Sequence, residues 1–207
     1  MRKIWGLTFA GFLALGGIAC AKTADTQTET DAAAPVQTQA AAPAGEESMP
    51  KKVLVAYYSY SGNTAAVARQ IAAKTGGDLY EIKTDHAYPE AYRPMTQQAK
   101  EEIEAGFRPE LTGAMPDISQ YDVVFIGTPN WWGTLAPAVS SFLEKNDFTG
   151  KTVVPFNTHG GGGMQNCEKD MRAALPNATV LEGAAFAGRS SGASESALNN
   201  WLGRLGF

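Results

Sequence analysis

The chain has 207 residues, 44% of them apolar, and a formal net charge of −4; that is enough for one domain with a full core. Residues 51–207 carry 14 basic and 16 acidic side chains, so no basic stripe argues for nucleic acid. Two cysteines, Cys20 and Cys167, and two histidines, His86 and His159, offer no zinc-type ligand spacing.

Residues 1–20 read as an export signal. Arg2 and Lys3 form a short basic start, Ile4 to Ile18 is apolar, and small residues lead to Cys20. Gly17-Ile18-Ala19-Cys20 resembles a bacterial lipoprotein processing box, which implies lipidation at Cys20 and a membrane contact only through that anchor. Ordinary cleavage after Ala21 and a retained transmembrane anchor are the alternatives. Residues 21–50 are Ala, Thr, Gln, Pro and acidic residues, too poor in large apolar side chains to offset the entropy of ordering. They read as a disordered tether to a domain spanning residues 51–207. An exported chain with Cys20 lipidated or removed leaves Cys167 without a disulfide partner.

From Lys51 onward strands and helices alternate. The first strand is Lys52 to Tyr58, a near-continuous apolar run, as expected of a strand covered on both faces. A helix from Thr64 to Lys74 places Val67, Ala68, Ile71 and Ala72 on one face and ends at Gly76-Gly77. A second strand covers Asp78 to Lys83. The long connection Thr84 to Asp117 holds a helix from Met95 to Ala105. It reads as a surface helix with aromatics such as Tyr88 and Tyr92 beneath it, a lid being the alternative. His86 reads as an exposed loop residue. The third strand is Asp122 to Gly127, followed by a loop to Gly133 and a helix from Ala136 to Glu144. The fourth strand is Thr152 to Phe156, followed by a loop with four glycines and a helix from Gln165 to Leu175. The fifth strand runs from Thr179 to Glu182, with Phe186 as an alternative end, and the last helix from Glu195 to Arg204. Alternating units of this kind predict an α/β fold, a three-layer doubly wound sheet of five parallel strands. Ligands of such sheets bind beyond the carboxyl ends of the strands.

Three loops would meet at that edge. Ser59-Tyr60-Ser61-Gly62-Asn63-Thr64 joins the first strand to a helix N-terminus, where backbone N–H groups and the helix dipole favour a phosphate. No Lys or Arg lies between Lys52 and Arg69, which excludes a Walker loop. Thr128-Pro129-Asn130-Trp131-Trp132-Gly133 offers flat aromatic faces. Adjacent residues in an extended segment point opposite ways, so one tryptophan is expected to face a ligand and the other to anchor the loop. Thr158-His159-Gly160-Gly161-Gly162-Gly163 allows close backbone approach. Arg189-Ser190-Ser191-Gly192 is a polar loop that could border the same edge. Cys167, just inside a helix, reads as a buried structural thiol.

In this order the three loops resemble those of the bacterial flavodoxin-like family, short-chain type, across residues 51–207. The resemblance implies strand order 2-1-3-4-5 and FMN as cofactor. It implies that the cofactor is held by Ser59, Tyr60, Ser61, Gly62, Asn63 and Thr64 at the phosphate, by Thr128, Pro129, Asn130, Trp131, Trp132 and Gly133, and by Thr158, His159, Gly160, Gly161 and Gly162. No metal is implied. The function implied is electron or hydride transfer outside the cytoplasm. Either the chain docks a redox partner protein, or it uses NAD(P)H to reduce a quinone or other small acceptor. A flavin-less scaffold domain is the alternative of another class.

Overall fold

The computed structural model describes residues 51–189 and 192–207. The expected export signal, Cys20 and the expected tether lie outside the described residues, as do Ser190 and Ser191. Strand β1 (Val53–Tyr57) is buried at every position. Helix α1 (Asn63–Thr75) follows and stops at Gly76 in the left-handed region, φ 67°. Next come β2 (Asp78–Glu81), β3 (Lys83–Thr84), α2 (Tyr92–Glu104) and β4 (Leu111–Thr112). Strand β5 (Val123–Pro129) and helix α3 (Pro137–Lys145) precede β6 (Thr152–His159) and α4 (Cys167–Ala174). Strands β7 (Thr179–Val180) and β8 (Ala184–Ala187) and helix α5 (Glu195–Arg204) end the fold.

The main sheet has the order β2-β1-β5-β6-β7, with β8 also on β6, and every pairing in it is parallel. Counting β7 and β8 as one interrupted position, this is the expected order. Strand alternation divides the core into two layers. Val53, Val55, Phe125 and Phe156 pack under α1 and α5, against Val67, Ile71, Leu198 and Trp201. Leu54, Ala56, Val124 and Ile126 pack on the opposite face against Val139, Phe142 and Met171 of α3 and α4. The direction of winding reverses between β1 and β5, so their carboxyl ends open a crevice between the following loops. Among the described residues no helix is long and apolar enough to cross a membrane.

Several boundaries differ from expectation. Helix α2 begins at Tyr92, three residues earlier, because Pro94 falls in the first turn, where its missing N–H is not needed. Strands β5 and β6 run on through Pro129 and His159, since Thr128 and Pro129 pair with Asn157 and Thr158, and Ala187 of β8 faces His159. The fifth strand breaks into two pieces beside Pro155, which has no N–H to give the ladder; the register against β6 moves by one residue between Val153↔Val180 and Phe156↔Ala184. Helix α4 starts at Cys167 because Gln165 adopts a left-handed backbone, φ 45°. The short antiparallel pair β3–β4 inside the long connection was not expected.

Gly127, central in β5, has no room for a side chain: a Cβ there would lie 2.2 Å from Phe156 Cζ. Gly127→Ala is expected to destabilise the domain by about 1–3 kcal/mol through overpacking. Urea unfolding checks this; an unchanged midpoint would contradict the packing.

Candidate functional site

The turn after β1 is held open by its own geometry. Tyr58 N–H still bonds Gly127 O at 3.0 Å, the last rung of the β1–β5 edge. Gly62 then takes φ 84°, a left-handed conformation that glycine adopts without penalty, and caps α1. The backbone N–H groups of Ser59 to Thr64 make no backbone hydrogen bond among the described residues. The Ser59 hydroxyl is buried and also lacks a partner. Burying unpartnered donors costs free energy. Here they lie in sequence at the positive end of a helix 13 residues long. Asn63 Nδ2 donates to Ser61 Oγ at 3.1 Å, which orders the loop. Thr64 is buried, its hydroxyl 2.8 Å from that of Thr158 on β6.

This turn forms one end of a groove of about 910 Å³. Tyr60, Ser61, Asn63 and Thr64 line it, as do Pro129, Asn130, Trp131, Trp132 and Gly133, and Thr158, His159, Gly160, Gly161 and Gly162. The fold therefore brings the three loops to one crevice. Ser59, Gly62 and Thr128 lie outside its wall. Thr128 is buried and acts from beneath: its Oγ donates to Pro129 O at 2.9 Å and accepts the N–H of Ala136 at 3.0 Å, closing the loop it begins.

Asn130 ties the second loop to the third. Its N–H donates to Thr158 O at 2.8 Å, and its Nδ2 donates to Gly163 O at 2.8 Å and Gln165 Oε1 at 2.9 Å. Its Oδ1 accepts from Gly133 N–H at 3.0 Å. The tryptophans divide between an anchor and an exposed ring, but not through strand alternation. Trp131 and Thr134 close a tight bridge and Trp132 adopts φ 53°, so the segment is a turn, not extended, and both rings reach the groove. Trp131 is the anchored one, edge-on to Tyr58, Tyr60 and Tyr88, with the Tyr88 ring nearest at 4.9 Å. Trp132 is 57% exposed, donates from Nε1 to Thr96 O at 2.8 Å, and has the Lys100 ammonium 5.5 Å from its ring centre.

Behind Trp131 lies a polar hub. The Glu102 carboxylate accepts from Tyr88 OH at 2.5 Å and from Gln98 Nε2 at 2.8 Å, and stands 2.6 Å from His86 Nε2. Burial, with the adjoining carboxylate, pushes the Tyr88 phenol far above its ordinary range. Burial pushes Tyr58 up to about 12. Tyr60 OH donates to Pro89 O at 2.6 Å, pinning the strap before α2 to the first loop. His86, expected to be exposed, is thus half-buried in this hub. On the third loop His159 Nδ1 accepts from Gly161 N–H at 3.0 Å, which puts the ring hydrogen of the neutral imidazole on Nε2.

A family model described as flavodoxin matches residues 52–205. The chain belongs to the flavodoxin family. Its structure is similar to that of a candidate flavoprotein from Bacteroides eggerthii, 34% identical, with 76% of this chain and 99% of that chain covered and a TM-score of 0.68. A flavoprotein from Lactobacillus acidophilus in complex with FMN shares the fold at 22% identity, over 73% of this chain and 99% of that one, with a TM-score of 0.61. An NAD(P)H dehydrogenase (quinone) from Rhodopseudomonas palustris is 33% identical over 96 residues, 45% of this chain. The match spans 46% of that relative, less than half its length.

In this flavodoxin domain some groove residues had no motif to mark them. Tyr92, Met95, Thr96 and Ala99 come from α2, Gln165 from the turn before α4, and Gly188 from the end of β8. The α2 set has a sequence signal, spacings of three and four on one helical face, but only once Tyr92 is counted within the helix. Gly188 has Asn63 Nδ2 3.0 Å from where a Cβ would stand. Arg108 is elsewhere, paired with Glu144 at 2.6 Å.

Cys167 is buried, as expected, and burial pushes its thiol up to about 11. Native Cys167 is therefore expected to resist a thiol-specific disulfide reagent at pH 8 and to react once urea unfolds the chain. A folded-state pKa above the ordinary 9.0 contributes stability that is fully present below about pH 9 and is lost as pH rises toward about 11. Cys167→Ala should remove part of that alkaline loss; fast labelling of the native protein would contradict the burial.

Proposed function

We propose that the chain binds FMN in this groove and works as a redox protein, passing electrons or hydride between a donor and a small acceptor. The observation that carries the reading is the row of unpartnered N–H groups from Ser59 to Thr64, with the orphaned Ser59 hydroxyl, at the N-terminus of α1. Such donors fit a phosphate, and the buried Ser59 hydroxyl costs stability while it has no partner. Ser59 to Thr64 would hold the phosphate, while Asn130 to Trp132 and His159 to Gly162 would flank the ring. Bound FMN supplies reversible two-electron chemistry. The chain's own groups orient it, exclude water with Trp131 and its tyrosines, and present backbone N–H groups from the glycine loop.

The donor is a redox partner protein or NAD(P)H, and the quinone-reducing name of the Rhodopseudomonas relative favours the second. Stopped-flow mixing of the FMN form with NADH and NADPH tests this; absence of reduction by either would rule NAD(P)H out. We also propose that the domain is exported and tethered to a membrane by a lipid on Cys20. Intact mass of the membrane fraction should include a diacylglycerol adduct, and an unmodified mass would end that proposal.

The cofactor itself is tested by colour. Apo protein incubated with FMN should keep flavin absorbance through gel filtration, and a colourless protein peak would overturn the reading. Ser59→Ala gives a sharper test with two signs. Removing a buried hydroxyl that has no protein partner should leave the apo domain equally or more stable, while FMN binding weakens by about 1.5–3 kcal/mol. Thr64→Val should instead lower apo stability by about 1–3 kcal/mol, because it leaves the buried Thr158 hydroxyl alone. An unchanged FMN dissociation constant in Ser59→Ala would count against the phosphate assignment.

A further inference from the structure

We propose that the α2 side of the groove is an acceptor subsite that selects uncharged flat ring compounds and turns anionic ones away. The proposal rests on the flavin reading above, because the electrons come from the bound cofactor. Tyr92, Met95, Thr96 and Ala99 occupy successive turns of one α2 face, and all four line the groove. Trp132 joins this wall through its Nε1 bond to Thr96 O.

The chemistry of that wall is narrow. Met95 and Ala99 are buried and apolar. The Thr96 hydroxyl is already spent on Arg93 O at 2.9 Å, and the Trp132 N–H on Thr96 O. The Tyr92 phenol remains, 75% exposed and without a hydrogen bond among the described residues. Among the described residues that line the groove none is Asp, Glu, Lys or Arg. The Lys100 ammonium, outside the groove wall, sits over the Trp132 ring and is paired with Glu104 at 3.6 Å. An anion entering here gives up its hydration and meets no countercharge. A neutral ring loses little, gains stacking on Trp132, and can take one hydrogen bond from Tyr92 to a carbonyl oxygen.

Two features show that the wall is maintained rather than incidental. Trp132 is a bulky residue held at positive φ, which persists only where its surroundings fix it; the Thr96 bond and Lys100 do so. Among the described residues Tyr92 and Trp132 are also the two most exposed of the large apolar side chains, and both stand in the groove wall. A quinone reduced there would gain two electrons and two protons, as a hydride from the anionic reduced cofactor and one proton from water, leaving the cofactor oxidised and a hydroxide in solvent.

The test uses the full chain loaded with FMN, reduced anaerobically with dithionite, and mixed with a neutral naphthoquinone or its ring-sulfonated analogue. Cofactor reoxidation is followed by absorbance, and the dissociation constants of the two compounds for the oxidised FMN form, which transfers no electrons, are followed by tryptophan fluorescence and should show the same preference. The neutral compound should react roughly tenfold or more faster, reflecting the desolvation of an unpaired anion. Thr96→Lys, which adds a cation to the wall, should move the ratio of the two rates toward the sulfonated compound by roughly tenfold. Tyr92→Phe should slow the neutral compound several-fold and leave the ratio tilted the same way. Ratios between variants cancel the difference in potential between the two compounds. A ratio that Thr96→Lys leaves unchanged, in protein that carries FMN, overturns the subsite alone. A chain that takes up no FMN overturns both the subsite and the flavin reading.

Discussion

Everything at the crevice depends on a turn whose backbone donors have no partners of their own. Between Tyr58, still bonded into the sheet, and the first turns of α1, the chain leaves six successive N–H groups and one buried hydroxyl unpaired with backbone. No basic side chain within the turn offers to neutralise a ligand. Recognition of an anion must come from aligned dipoles, which are fixed in place by the fold and need no reorganisation when a ligand arrives. The sheet supplies the rigidity: β1, β5 and β6 are buried along their lengths, and the Thr64–Thr158 hydroxyl pair links the turn to the third loop.

The rest of the groove is built by cross-ties between loops that are far apart in sequence. Asn130 alone reaches the third loop at two points and the turn beyond it at a third. Tyr60 holds the strap at Pro89, and Trp132 holds α2 at Thr96. Glu102, only 12% exposed at its side chain, gathers Tyr88, Gln98 and His86 behind Trp131. Its partners satisfy a carboxylate that would otherwise be costly to bury, and they hold Tyr88 edge-on against the groove's aromatic wall. The polar network is thus structural support for an apolar surface.

Much of this was legible in the residues, because the sheet and its three loops are written in local chemistry. Continuous apolar runs announced β1, β5 and β6, and Gly76 marked the end of α1. Hydroxyl, tryptophan and glycine clusters marked the crevice. What escaped depends on distant partners. The extension of β6 to His159 required β8 beside it, and the break in the fifth strand answers to Pro155 across the ladder. The Trp132 turn could not be read from Trp-Trp alternation, since a left-handed bulky residue is uncommon and here is held by a carbonyl 36 residues away. Pro94 hid the first turn of α2, and with it the contribution of Tyr92 to the groove. His86 gave no sign of Glu102, 16 residues on.

The central claim is that the β1–α1 turn binds a phosphate through unpartnered backbone donors. Calorimetric titration of the apo full chain with FMN and with riboflavin, which lacks only the phosphate, measures that contribution directly. The account predicts that FMN binds tighter by roughly 100-fold or more, about the strength of two charge-assisted hydrogen bonds. Equal dissociation constants for the two flavins would contradict it.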